Sequence, residues 1–198
     1  MGRSDEELIE ACQAGEISAF DLLVARWEDK IRGACWRVLG SEEEARDAAQ
    51  EAFLKAYRGL EGFKREARFS SWLYQIAINL CRDRLRRRRT RPTVSLDALE
   101  ETGPVLVESG AGAHEQLLRR DLAGAVRRAI EALAPEQREV LILKEYQELT
   151  FLEIAQALEV PVSTVKTRLY RGLGQLRLRL EREGIRGLAP VVAPAPQA

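Results

Sequence analysis

Trp72, Gln75, Asn79, Arg82 and Arg86 follow one another at intervals of 3, 4, 3 and 4 residues, the repeat that lines side chains along one face of a helix. An aromatic plate, two amides that both donate and accept, and two cations are the groups needed to stack on and read unpaired bases while holding their phosphates. The preceding loop supplies Phe63, Lys64 and Arg65, cations interleaved with aromatics that would wall a pocket for an extruded base. The competing reading puts Trp72 and Phe69 in a core and leaves the arginines as a solvated helix end favoured by the dipole. Each residue alone suits that reading, but the joint pattern favours nucleic acid.

A second constellation lies near the C-terminus. Thr150-Phe151-Leu152-Glu153 has the form of a capping box, with Phe151, Ile154, Ala155 and Leu158 as the inward stripe of the helix it starts. Pro161 stops that helix and Ser163 is placed to cap the next, the short turn of a helix-turn-helix. Val165, Leu169, Leu173, Leu176 and Leu180 share one side of the second helix and form its core face. Ser163, Thr164, Lys166, Thr167, Arg168, Tyr170 and Arg171 occupy the rest of its first turns, mixing donors for base edges with cations for phosphate. Gly172 and Gly174 sit inside this helix, each costing about 1 kcal/mol relative to Ala with no gain visible in the sequence.

A third surface is less specific. On a helix through residues 47–60, Ala49, Ala52, Phe53, Ala56, Tyr57 and Leu60 point one way. Asp47, Gln50, Glu51, Leu54, Lys55 and Arg58 point the other, with Leu54 an apolar knob among charges, a pattern compatible with a protein-docking face.

Positioning these groups is the task of helices. No proline occurs before Pro92, strand signals are lacking, and apolar spacing of three and four predicts helices over 5–14, 17–39, 41–60 and 70–89, broken at Gly15, Gly40 and Gly62. The expected fold is all-α: two small helical domains joined by a flexible linker, the second a helix-turn-helix domain. Residues 1–90 form the first, 91–118 the turn-rich linker, 119–184 the second, and 185–198 an Ala/Pro-rich disordered tail.

The chain has 198 residues, 45% apolar and 31% charged, the balance of a globular protein. Its zero net charge conceals segregation: −6 over residues 1–62, +8 over 63–91, −7 over 92–159 and +5 over 160–186. Two basic blocks suit a polyanion met twice, and the acidic blocks suit protein partners or keep the wrong surfaces off nucleic acid. The lack of a long apolar run or of a basic-then-apolar start predicts a cytoplasmic protein. Cys12, Cys35 and Cys81 form no CxxC pair, and Cys35 and Cys81, in apolar surroundings, read as reduced core thiols; with His114 the sole histidine, no metal site, cofactor or catalytic residue is expected. A helical hydrolase would need clustered acids or a nucleophile with its base, and the Glu42-Glu43-Glu44 run is more simply the first turn of a helix capped by Ser41.

Four segments, in order, resemble the sigma-70 family of transcription initiation factors, in its extracytoplasmic-function group. They are Asp47-Ala48-Ala49-Gln50-Glu51-Ala52-Phe53, the run from Phe69-Ser70-Ser71-Trp72 to Asn79, Leu133-Ala134-Pro135-Glu136-Gln137-Arg138, and Glu153-Ile154-Ala155 followed by Pro161 to Leu169. The resemblance covers about residues 5–90 and 119–180. It implies that the 47–58 face docks on the beta-prime clamp coiled coil of core RNA polymerase. It implies that Trp72, Asn79 and the preceding loop capture the melted minus-ten element, while the recognition helix reads the minus-thirty-five element as duplex. An anti-sigma partner is also implied. Ser163 departs from the glycine common at the start of the recognition helix, and Gly172-Leu173-Gly174 from a more usual Ala-Arg stretch. The alternative is a helix-turn-helix regulator acting on duplex DNA without polymerase.

Overall fold

The computed structural model describes residues 2–64, 68–90 and 113–185, all of whose regular elements are helical. The expected linker (except residues 113–118) and nearly all of the expected tail lie outside these residues, as does Arg65. Helix α1 (Asp5–Gln13) opens on Ser4, whose hydroxyl accepts from the Glu7 amide while the Glu7 carboxylate accepts from the Ser4 amide at 2.6 Å. Helix α2 (Ser18–Leu39) ends at Gly40, which takes the left-handed conformation (φ 72°) and donates to the Trp36 carbonyl. Ser41 then caps α3 (Glu42–Gly59), and the glutamate run does occupy its first turn. A 3₁₀ turn (Leu60–Gly62) leads towards α4 (Phe69–Thr90).

The second unit comprises α5 (Ala113–Glu131), α6 (Pro135–Glu145), α7 (Phe151–Leu158) and α8 (Val162–Arg182). Helix α5 begins ahead of the expected residue 119, because Ala113 and the Gln116-Leu117-Leu118 run are good helix formers directly after Gly112. The capping box of α7 is present: the Thr150 hydroxyl accepts from the Glu153 amide, and the Glu153 carboxylate accepts from both the amide and the hydroxyl of Thr150.

Two details of the helix-turn-helix differ from expectation. Helix α7 stops not at Pro161 but at Glu159, which turns left-handed (φ 54°). Helix α8 is started by Pro161, not capped by Ser163. Pro161 has extended backbone, and its carbonyl accepts the first bonds from the amides of Thr164 and Val165. Ser163 is therefore an exposed first-turn residue.

Leu8, Leu23, Ile31, Leu73 and Ile78 are fully buried in the first unit, and Leu141, Ile142, Leu143, Ile154 and Leu180 in the second. The two units do not merely share a chain. α2 lies against α6 and α4 against α7, and one apolar cluster runs through both units. Val165, Leu169 and Leu180 are buried and Leu173 and Leu176 half-buried, the core face expected of α8. Gly172 now has a role: a Cβ there would stand 3.3 Å from the Cβ of Gln137, so the glycine permits the close approach of α8 to α6. Gly174 faces open space.

Cys35 and Cys81 are buried and Cys12 half-buried, all as free thiols. A hydrogen bond with Cys35, reinforced by burial, holds the Cys81 thiol well above its ordinary range. Among the described residues no three His, Cys, Asp or Glu side chains converge to hold a metal, and no helix is long and apolar enough to cross a membrane.

Candidate nucleic-acid interface

Helix α4 buries Leu73, Tyr74, Ala77, Ile78, Leu80 and Cys81, and this burial orients its polar side. Along that side Trp72 and Gln75 are half-buried, Asn79 exposed, Arg82 half-buried and Arg86 exposed, so the five residues do form one stripe. The Trp72 indole is neither free nor sunk in the core. It packs against Phe63, ring centres 4.7 Å apart and tilted by 35°, and against Phe69 at 6.0 Å. Phe69 itself is buried and belongs to the core. Phe63, Lys64, Trp72 and Gln75 line a cavity of about 400 Å³ together with Gly59, Gly62, Ser71 and, from α7, Gln156.

Two residues that sequence reasoning passed over position this wall. The Gln13 side chain on α1 donates to the Leu60 carbonyl at 2.9 Å and reaches that of Phe63 at 3.4 Å, fixing the turn that carries the Phe63 ring. Gly59 ends α3 where a Cβ would meet the Trp72 ring. Neither leaves a periodic signal, since each acts through a contact between elements.

The basic block of α4 is used in three ways. Arg84 donates to the Glu44 carbonyl and the Glu51 carboxylate, and Arg88 to the Glu44 carboxylate and the Leu39 carbonyl, tying α4 to α3 and the end of α2. Arg86 pairs with Asp83 one turn back on its own helix. Arg82 crosses to the second unit, where Nε and Nη2 donate to the two oxygens of Glu139 at 2.9 and 2.6 Å, while Nη1 donates to Asn79 Oδ1. Glu139 is only 2% exposed, and a buried carboxylate of this kind is tolerable only with such a partner.

Further bonds cross between the units. Arg68 donates to Glu153 at 2.7 Å, and the buried Tyr74 hydroxyl donates to the Gln147 side chain at 2.7 Å. Arg138 donates to the Val38 carbonyl, and Arg37 stacks over Tyr146 with its guanidinium carbon 4.3 Å from the ring centre. Burial pushes the Arg37 guanidinium and the Tyr74 phenol in the direction that disfavours their charged forms. Burial alone would raise the Glu153 carboxyl, but the bonds from Thr150 and the charge of Arg68 outweigh it and hold the group below its ordinary value.

On α3, Asp47, Gln50, Leu54, Lys55 and Arg58 are exposed and Glu51 is half-buried. Glu51 is also an internal bracket, paired with Lys55 as well as Arg84. Leu54 stands 57% exposed beside Tyr57 at 45%, so Tyr57 joins the outer face rather than the inward stripe expected of it. Its ring meets Phe20 edge-on, with ring centres 5.0 Å apart.

On α8, Ser163, Lys166, Thr167 and Arg171 are exposed and Thr164, Arg168 and Tyr170 half-buried. Thr167 folds its hydroxyl back onto the Ser163 carbonyl at 2.9 Å, and the Lys166 ammonium stands 5.6 Å from the centre of the Phe151 ring. The outer side of this helix offers donors and cations over its first two turns, opposite the packed Val165 and Leu169.

Comparison with known proteins finds two family models in the chain: Sigma-70 region 2 over residues 23–91 and Sigma-70, region 4 over residues 123–176. The RNA polymerase sigma-H factor of Pseudomonas aeruginosa is 36% identical over 171 residues, 84% of this chain and 89% of that protein. The ECF RNA polymerase sigma factor SigW of Bacillus subtilis is 37% identical over 179 residues, 87% and 94% of the respective chains. Among solved structures, CnrH in complex with the cytosolic domain of CnrY superposes with a TM-score of 0.68 at 24% identity, covering 91% of this chain and 99% of that one. The sigma factor RpoE bound to the anti-sigma factor NepR from Bartonella quintana gives 0.65 at 19% identity, covering 83% and 98%. These last two likenesses concern the fold alone. With both regions matched in order and relatives above one-third identity along most of their length, the chain belongs to the sigma-70 family, in its extracytoplasmic-function group.

Proposed function

We propose that this chain, as an alternative sigma factor, divides its work among three surfaces: the α3 face docks core RNA polymerase, α8 reads duplex promoter DNA, and the α4 stripe holds the melted strand. The observation that carries the reading is Trp72, half-buried on Phe63 at the mouth of the 400 Å³ cavity, with exposed Asn79 two turns further along the same face. A core aromatic would be enclosed, and a solvated one would lack the backing ring that keeps it flat for stacking.

Asp47, Gln50, Leu54, Lys55 and Arg58 form the polymerase surface, with Glu51 holding it to α4 through Arg84. For the minus-ten strand the set is Phe63, Lys64, Arg65, Trp72, Gln75, Asn79, Arg82 and Arg86. For the minus-thirty-five duplex it is Ser163, Thr164, Lys166, Thr167, Arg168, Tyr170 and Arg171, with Lys166 and Arg171 towards bases and Arg168 towards phosphate. The factor performs no chemistry of its own. Its partners are core RNA polymerase, promoter DNA and an anti-sigma protein, and it works in the cytoplasm.

Run-off transcription with core polymerase on a library of genomic promoter fragments tests this directly. Specific initiation that depends on the chain is expected. Stacking on an aromatic plate is worth about 1–3 kcal/mol per base, so Trp72→Ala and Asn79→Ala should reduce opening of linear templates about tenfold or more. A template carrying a pre-melted bubble should rescue part of that loss. Duplex binding without polymerase and no initiation would instead identify a plain helix-turn-helix regulator.

A further inference from the structure

Helix α1 belongs to none of the three surfaces described above, and it precedes the segment matched by Sigma-70 region 2. It is nevertheless held at both ends. Leu8 and Ile9 are buried in the core, and near the start of the helix the Asp5 carboxylate accepts from the Trp27 indole at 3.0 Å and from Arg26, both on α2. At the other end stands Gln13, the last residue of α1, whose side chain crosses to the turn after α3. Both groups it meets there are carbonyl oxygens, so the NH2 end of the amide faces them, and its one nitrogen carries a hydrogen for each: Leu60 at 2.9 Å and Phe63 at 3.4 Å. The Leu60 carbonyl also accepts from the Phe63 amide at 3.1 Å, so the side chain clips a turn whose ends are joined by one backbone bond. Gln13 is itself exposed, and the turn uses its amide rather than its bulk. What the clip holds is the support of Trp72. Gly59, just before the turn, gives the indole its bare backbone, while Phe63, at the end of the turn, sets its ring centre 4.7 Å from the indole and meets the buried Phe69 edge-on at 6.2 Å. One short segment carries both contacts, so a shift of the turn moves both.

We propose that Gln13 is a positioning residue for strand capture: α1 is a strut anchored on α2, and its terminal amide holds the 60–63 turn, and with it the Phe63 ring, where it keeps Trp72 flat for an unpaired base. This rests on the reading of Trp72 as a stacking plate. Gln13 touches no DNA in this role, so its loss lowers the extent of opening and leaves the choice of promoter sequence alone. The chemistry of the clip is specific. Glutamate has the same length but no hydrogen to donate, alanine does not reach, and lysine supplies donors for both carbonyls on a stem of similar reach.

The test is promoter opening by the full chain with core polymerase, read by permanganate reactivity of bubble thymines. Beside it stands the indole N–H magnetic-resonance signal of Trp72 in the free chain, identified among those of the three tryptophans by its loss in Trp72→Ala. Gln13→Glu and Gln13→Ala should each lower opening of linear templates about three- to fivefold, part of the loss caused by removing the indole itself, and should shift the Trp72 signal. Gln13→Lys should restore opening to within about twofold of wild type and return the signal towards its original position. Polymerase affinity, duplex affinity and the ranking of promoter sequences should stay at wild-type values in all three variants. Wild-type opening by either Gln13→Glu or Gln13→Ala in folded form, where Trp72→Ala opens poorly, overturns the strut and leaves strand capture by Trp72 intact. So does a loss that lysine does not rescue, or one that tracks a fall in melting temperature and polymerase affinity, since that is the mark of general destabilisation. Should Trp72→Ala open linear promoters like the wild type, the reading of Trp72 fails and the strut falls with it.

Discussion

A Cβ on Gly59 would lie 3.1 Å from Cζ2 and 3.4 Å from Cη2 of Trp72, so the indole is seated on the bare backbone at the end of α3. The φ of Gly59 is −90°, an angle any residue adopts, and the requirement is for space alone. Gly59→Ala should therefore leave the melting temperature within a few degrees of wild type while pushing the ring outward by a few tenths of an ångström. Because stacking is worth about 1–3 kcal/mol per base, opening of linear promoter DNA should fall several-fold. Permanganate reactivity of bubble thymines measures this, and unchanged reactivity would separate Trp72 from strand capture.

Leu54 is more than half exposed, so removing it does little to the fold. Burying the remaining apolar surface of one leucine in an interface contributes about 1.5 kcal/mol, and Leu54→Asp adds an unmatched charge, so core polymerase should bind at least about tenfold more weakly. Titration of labelled core enzyme reads the change, with circular dichroism as the check that helices persist. Wild-type affinity in a folded variant would reject the α3 face as the docking surface.

Arg168 is half-buried and Arg171 exposed on the next turn of α8. Truncating a phosphate contact should weaken all sequences alike and lower the salt slope by about one, whereas a base contact should cost about 1–3 kcal/mol on the matched element only. Arg168→Ala is expected to do the first and Arg171→Ala the second. Equal losses on matched and scrambled duplexes for both variants would refute the division.

Gly174→Ala should stabilise the chain by about 0.5–1 kcal/mol, because a mid-helix glycine facing open space contributes only backbone entropy to the unfolded state. Gly172→Ala should show none of that gain, since the new methyl must displace Gln137 of α6. Thermal denaturation of the two variants side by side distinguishes them, and an equal gain at both would remove the packing explanation for Gly172.

The depressed carboxyl of Glu153 makes a definite contribution to acid sensitivity. A carboxyl held below its unfolded value of 4.5 stabilises the fold at higher pH, and loses that contribution as pH falls through the folded value. Arg68 is 73% exposed, so the ion pair adds no more than about 1 kcal/mol. Glu153→Gln should be slightly less stable than wild type at neutral pH, and the gap should close as pH falls through the folded value of the carboxyl. A gap independent of pH would show that the ionised carboxylate is not what matters.

Local chemistry was legible in the chain itself. The capping box at Thr150, the Ser41 cap over its glutamates, the core face of α8, and the exposure of Leu54 all follow from 3.6-residue periodicity and from side chains that satisfy backbone groups three residues away. Even the local errors are of one kind. Pro161 took the cap role assigned to Ser163 because its carbonyl stands where the first helical bonds are needed, and Tyr57 lies at the margin of the inward stripe, where its ring meets Phe20 edge-on yet stays 45% exposed. What only the tertiary structure decided is which groups meet across the molecule. Arg82 and Glu139 are 57 residues apart, Tyr74 and Gln147 are 73, and Arg68 and Glu153 are 85. No periodicity singles out Glu139 from the other acids of its block, because its choice depends on how α6 is set against α4, and that is determined by the shape of two packed cores. The same is true of Gly59 and Gly172, whose value lies in the missing Cβ and the element that fills its place.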